Sequence, residues 1–144
     1  MKKSVIAIYG PSRQGKSETV RETANLLLAA FPHYKLQAIN TGGDITYIVE
    51  INGVKIGLES QGDPKSRIFH SLQTFVNERC DIIICACRSR GETANAVEDL
   101  YRINQYEIIW STNHRSGNKK HSQLNQIAAN EILELIKLIM NGLL

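Results

Sequence analysis

Residues 10–17 read Gly-Pro-Ser-Arg-Gln-Gly-Lys-Ser, and their flanks leave little choice of local structure. Val5-Ile6-Ala7-Ile8-Tyr9 before them is a short, unbroken apolar run, the pattern of a strand buried on both faces. After them, residues 16–30 carry Val20, Ala24, Leu27 and Leu28 at helical spacing. Phe31-Pro32 ends that helix, because the residue before a proline avoids the α region. Strand, glycine turn and helix in this order suit an anionic ligand. Glycines let backbone N–H groups turn inward around phosphate oxygens, and the helix N-terminus adds partial positive charge. In the pattern G-x-x-x-x-G-K-[ST], Lys16 would reach the β- and γ-phosphates of a nucleotide and Ser17 would coordinate Mg²⁺. The residues expected to line the phosphates are Gly10, Pro11, Ser12, Arg13, Gln14, Gly15, Lys16, Ser17 and Glu18.

The remaining chain alternates strand and helix signals. Residues 35–39 alternate polar and apolar and read as a strand; Asn40-Thr41-Gly42-Gly43-Asp44 is a loop by its turn residues. Residues 45–51 and 54–58 flank Asn52-Gly53, the strongest short hairpin signal. A loop over 59–64 precedes a helix over 65–79 with Ile68, Leu72, Phe75 and Val76 on one face. Residues 81–87 are almost uniformly apolar and predict a central strand. A helix over 92–103, a strand over 107–110, a polar and basic loop over 116–122 and a helix over 124–140 complete the chain. The last helix places Leu124, Ile127, Ala128, Leu135 and Leu138 or Ile139 roughly on one face. The expected fold is a single α/β domain over residues 1–144, a three-layer sandwich with a mainly parallel sheet and one antiparallel hairpin at about 45–58.

The chain is long enough, at 144 residues, to bury a core without staples. Its net charge of +3 is too mild to argue for nucleic acid as the main partner. No apolar run is long enough to span a bilayer. The apolar stretch after Met1-Lys2-Lys3 is short and runs into the glycine loop, so no secretory signal is read and a cytoplasmic location is the default expectation. The cysteines Cys80, Cys85 and Cys87 are odd in number, and no second Cys/His cluster with zinc spacing accompanies them. They read as small buried hydrophobes.

The loop and its strand–helix context resemble the P-loop NTPase superfamily. The resemblance implies a three-layer α/β fold, bound Mg²⁺ and ATP or GTP as ligand. It also implies a second acid near the metal, at the end of a buried strand. Glu59 is the best placed candidate, and Asp63 is its rival. Glu59-Ser60-Gln61-Gly62 looks like the D-x-x-G element of GTPases with Glu replacing Asp, and the preceding hairpin resembles the strands that lead into that element. A threonine from the loop before the hairpin, Thr41 or Thr46, would complete the metal shell. In small-molecule kinases an acid in this region, here Asp44, would instead act as general base. Arg88 and Arg90 follow the central strand, where two arginines would neutralise charge on a transferring phosphoryl group. The candidate catalytic residues are thus Lys16, Glu59, Asp63 and Arg88, and the candidate metal ligands Ser17, Glu59 and Thr41. No N-K-x-D segment follows the strand at 107–110, so guanine reading is not supported and ATP is favoured.

Three activities fit these residues. The first is Mg²⁺-dependent triphosphate binding with slow hydrolysis, as a nucleotide switch. The second is phosphoryl transfer to a nucleotide or small metabolite. The third is a non-catalytic, nucleotide-dependent interaction module working through a protein partner or a homodimer, with Arg13 then serving in trans.

Overall fold

The computed structural model describes residues 1–10 and 15–144. The expectations for Pro11, Ser12, Arg13 and Gln14 lie outside the described residues. In chain order the elements are β1 (Ser4–Tyr9), α1 (Lys16–Ala30), β2 (Lys35–Asn40), β3 (Thr46–Ile51), β4 (Val54–Glu59), α2 (Ile68–Asn77), β5 (Ile82–Cys87), α3 (Glu92–Arg102), β6 (Glu107–Thr112) and α4 (His121–Met140).

The six strands form one mixed sheet in the order β2-β3-β4-β5-β1-β6. Strands β4, β5, β1 and β6 run parallel. β3 pairs antiparallel with β4 through the Asn52-Gly53 turn, as the sequence predicts. β2 also pairs antiparallel with β3, so the expected single hairpin is in fact a three-stranded meander. The reason is the length of the link between β2 and β3, residues 41–45. A parallel crossover needs about a dozen residues or more, so only an antiparallel return is open to the chain.

Alternation along β1 divides the core. Ile6 and Ile8 face a cluster with Val20, Ala24 and Leu27 of α1 and Ile132 and Ile136 of α4. Val5 and Ala7 face the opposite cluster, with Leu72 and Phe75 of α2 and Val97 and Leu100 of α3. The sheet is therefore covered on both sides, α1 and α4 on one and α2 and α3 on the other, which is why its central strands read as continuous apolar runs. Cys80, Cys85 and Cys87 are fully buried, and burial pushes the Cys87 thiol up to about 11, so the cysteines act as apolar filling.

Two elements differ from expectation in ways that matter for the site. Helix α4 buries Asn125, Ala128, Ala129, Ile132, Leu133, Ile136 and Ile139. The expected face overlaps this one at Ala128 and Ile139, but Ile127 and Leu138 are exposed, so the buried stripe is rotated from it. The apolar residues of α4 surround most of its circumference, and packing on α1 chose the stripe that carries a polar residue, Asn125. Strand β6 runs two residues past its expected end, to Thr112, because it pairs with β1 out to Tyr9. No helix among the described residues is long and apolar enough to cross a membrane.

Candidate functional site

The chain reverses its direction of travel across the sheet at β1. From β1 it passes through α1, on one face, toward the β2 edge; from β5 it passes through α3, on the other face, to β6 on the far side of β1. The connections leaving β1 and β5 therefore part, and their carboxyl ends open a crevice. Open α/β sheets bind ligands at such a point.

Lys16 lies across this crevice. Its Nζ donates to the carbonyl of Gly10, just after β1, and to that of Cys87, the last residue of β5, at 2.9 Å. The Gly10 N–H donates to the same Cys87 carbonyl at 3.3 Å, which closes the mouth of the loop. Lys16 is 7% exposed, yet no carboxylate bonds it among the described residues. Burial lowers its pKa below the usual lysine value; Arg88 pushes the same way and Asp63 opposes. Among the described residues this ammonium is held by neutral carbonyls, whereas a buried charge is ordinarily paired.

Ser17 begins a second chain of bonds. Its hydroxyl donates to the carbonyl of Ser60 at 2.7 Å. Ser60 is fully buried; its Oγ accepts the Ile45 N–H and donates to Asp44 Oδ1, both at 2.8 Å. Arg21 of α1 donates to the same Asp44 oxygen at 3.0 Å. The loops before β3 and after β4 are thus both tied to the first turn and a half of α1.

Glu59, the last residue of β4, is fully buried. Its carboxylate accepts from Thr46 Oγ1 at 2.6 Å, from Arg67 Nε at 3.0 Å, from Ser71 Oγ and from the Gln61 N–H at 3.0 Å. These donors take up the group between β3 and α2. Thr46 belongs to this network, while Thr41 is exposed and takes no part in the bonds joining Ser17, Ser60 and Asp44. Asp63 and Arg88 pair at 3.2 Å near the crevice, and the Arg88 N–H donates to Thr93 Oγ1 at the start of α3. Between them Gly62 rests on β5: a Cβ there would stand 2.4 Å from the Ala86 carbonyl oxygen.

A polar cluster lies behind the glycine loop. Asn113, just after β6, accepts from Thr19 Oγ1 at 2.6 Å and donates to Asn125 Oδ1 at 2.8 Å. Asn125 Nδ2 reaches Glu18 at 3.4 Å. Glu18 is exposed, whereas Thr19, Asn113 and Asn125 are buried.

The structure therefore brings together Gly10, Lys16, Ser17, Asp63 and Arg88; the Glu59 carboxylate, one residue before Ser60, is taken up by its own buried network, and Thr41 is exposed. Ser60, Arg67, Thr19 and Asn125 are participants that sequence reasoning missed. Asn125 had a usable signal: it is the polar member of an otherwise apolar stripe at 125, 128, 132, 136 and 139, and a buried polar residue is the informative exception. Among the described residues no group of three or more His, Cys, Asp or Glu could hold a metal ion by itself. Comparison with protein-family models, with curated proteins and with solved structures finds no match.

Proposed function

We propose that this chain binds a nucleoside triphosphate, with ATP favoured over GTP, together with Mg²⁺ in the β1–β5 crevice, and that it hydrolyses the ligand slowly as a nucleotide-dependent switch. The observation that carries this reading is Lys16. A buried cation spanning the ends of β1 and β5 without a carboxylate partner suits a ligand that brings several negative charges. Mg²⁺, when bound, supplies neutralisation of charge between the β- and γ-phosphates. The residues fit it: the Ser17 proton is spent on Ser60, so the hydroxyl's lone pairs remain for a cation.

In this reading the chain's own groups divide the work. Lys16 exchanges its two carbonyl acceptors for phosphate oxygens. Arg88, held by Asp63 beside the crevice, faces charge that develops on a γ-phosphoryl group. Gly62, pressed on β5, places the 59–64 loop where it senses whether that group is present. The bonds from Ser17 through Ser60 to Asp44 join this loop to the one before β3, so both respond together.

One observation favours a second reading. Glu59 is fully engaged in a buried network, so the acid that resembles a GTPase element has no evident part in activating water. That suits a module which binds triphosphate without turning it over. Phosphate release on incubation with Mg²⁺ and ATP or GTP separates the readings. Steady release without an acceptor supports the switch with hydrolysis, and tight binding without release supports the module. Transfer only to an added nucleoside, nucleotide or metabolite indicates a kinase. Absence of triphosphate binding by the intact protein contradicts the proposal.

A further inference from the structure

The hydrogen bonds around Ser60 have resolved directions, and those directions assign the acid of the cation site. Ser17 gives its one hydroxyl proton to the Ser60 carbonyl, leaving Ser17 Oγ with lone pairs and no proton to offer. Ser60 Oγ receives the Ile45 N–H and therefore gives its own proton to Asp44 Oδ1. Arg21 gives a second proton to that same oxygen. Both donors converge on Oδ1, and Oδ2 accepts no bond among the described residues. The Asp44 side chain is 31% exposed. Glu59 offers the opposite picture, with no exposure and donors on both of its oxygens.

We infer that Asp44, and not Glu59, is the carboxylate of the divalent cation site, acting with Ser17 and held in register with it by Ser60. This rests on the triphosphate-binding reading above. A hydroxyl and a carboxylate rigidly joined through one buried serine are a donor set for a small hard cation that keeps several waters and takes its remaining oxygens from phosphate. Asp44 reaches the cation through one of those waters, and Arg21 holds the carboxylate oriented, as outer partners of metal ligands do. Ser60 is a positioning residue: it touches Ser17 and Asp44 and holds the distance between them.

The test is a titration of Mg²⁺ into protein carrying a fluorescent, non-hydrolysable triphosphate, reading the Mg²⁺ midpoint; triphosphate affinity in EDTA is measured alongside. Asp44→Asn keeps shape and hydrogen bonding but removes the charge. It should raise the midpoint by about tenfold or more and leave the EDTA affinity unchanged or improved. Ser60→Ala should move the midpoint in the same direction, with Asp44 itself intact. Glu59→Gln should not move it. An unshifted midpoint in Asp44→Asn, or a shift confined to Glu59→Gln, overturns this assignment while leaving triphosphate binding in place. Failure of the unaltered protein to bind the triphosphate, with or without Mg²⁺, overturns the binding reading and this assignment with it.

Discussion

Gly15 and Asn125 compete for one space: a Cβ on Gly15 would stand 2.5 Å from Asn125 Oδ1 and 2.7 Å from its Nδ2. Gly15 also has φ +77°, a left-handed conformation at the mouth of α1. Gly15 is therefore seated on a buried amide of α4, one that is bonded in turn to Asn113 at the end of β6. A residue some hundred positions away in the chain dictates that position 15 has no side chain.

Gly15→Ala should destabilise the protein by about 1–3 kcal/mol from backbone strain alone, with the displaced amide adding to it. Urea denaturation measures the total. Asn125→Ala removes the clashing atoms, so the double variant should recover the steric part and keep the φ part. A purely additive cycle would mean that the two residues do not meet.

Glu59→Ala should weaken the fold rather than the ligand site. It leaves the Thr46 and Ser71 hydroxyls without their acceptor and the Arg67 guanidinium without its carboxylate, with Thr46 Oγ1 as its remaining partner among the described residues. Losing one partner of a buried pair costs about 3–5 kcal/mol, and the partial exposure of Arg67 reduces this to roughly 2–3 kcal/mol. Thermal melts should show the loss, while triphosphate affinity measured well below the melting temperature should stay within about threefold of the unaltered protein, a difference under 1 kcal/mol. Unchanged stability with abolished binding would return Glu59 to the site.

The sequence showed most of the framework because its strongest signals are local. The apolar run before Gly10, the helix ended by Phe31-Pro32 and the Asn52-Gly53 turn each depend on neighbours a few residues away, and each is found where expected. The antiparallel course of β2 is also legible in the short link that follows it, residues 41–45, which is too short for a crossover. What stayed hidden depends on strand order. β5 inserts between β1 and β4, which brings Cys87 to Lys16. The face of α4 was misread for a related reason. Its apolar residues nearly encircle the helix, and only contact with α1 and with Gly15 selects the stripe that includes Asn125.

Gly62→Ala should uncouple the 59–64 loop from the crevice. The added Cβ would meet backbone, the Ala86 carbonyl at 2.4 Å, which cannot turn aside as a side chain can. The loop must lift from β5, and the Asp63–Arg88 pair moves with it. Hydrogen exchange over residues 59–64 should quicken in the free protein, and triphosphate should no longer slow it. Equal protection in both proteins would show that Gly62 has no part in sensing the ligand.

Lys16 gives a dependence on pH with a definite sign. Burial holds its pKa below 10.5 in the free protein. Between the lowered value and 10.5 the unfolded chain binds more protons than the folded one, so the lysine's contribution to stability rises with pH across that window. A bound triphosphate favours the ammonium and raises the pKa again. Binding should therefore take up a proton at alkaline pH, and affinity should fall as pH climbs through the lowered pKa. Calorimetry in two buffers of different ionisation heat reads the uptake directly. Lys16→Arg, which stays charged, should abolish it. No uptake in the unaltered protein would place the ammonium away from the phosphates.

The central claim, that Lys16 receives the phosphates of a triphosphate in the β1–β5 crevice, is tested most directly by titration calorimetry with Mg²⁺ and a non-hydrolysable ATP analogue. The intact protein should bind one equivalent. Lys16→Ala, shown by circular dichroism to be folded, should bind about a hundredfold more weakly or not at all, since a buried charge-assisted contact is lost. Equal affinity in the two proteins would contradict the account.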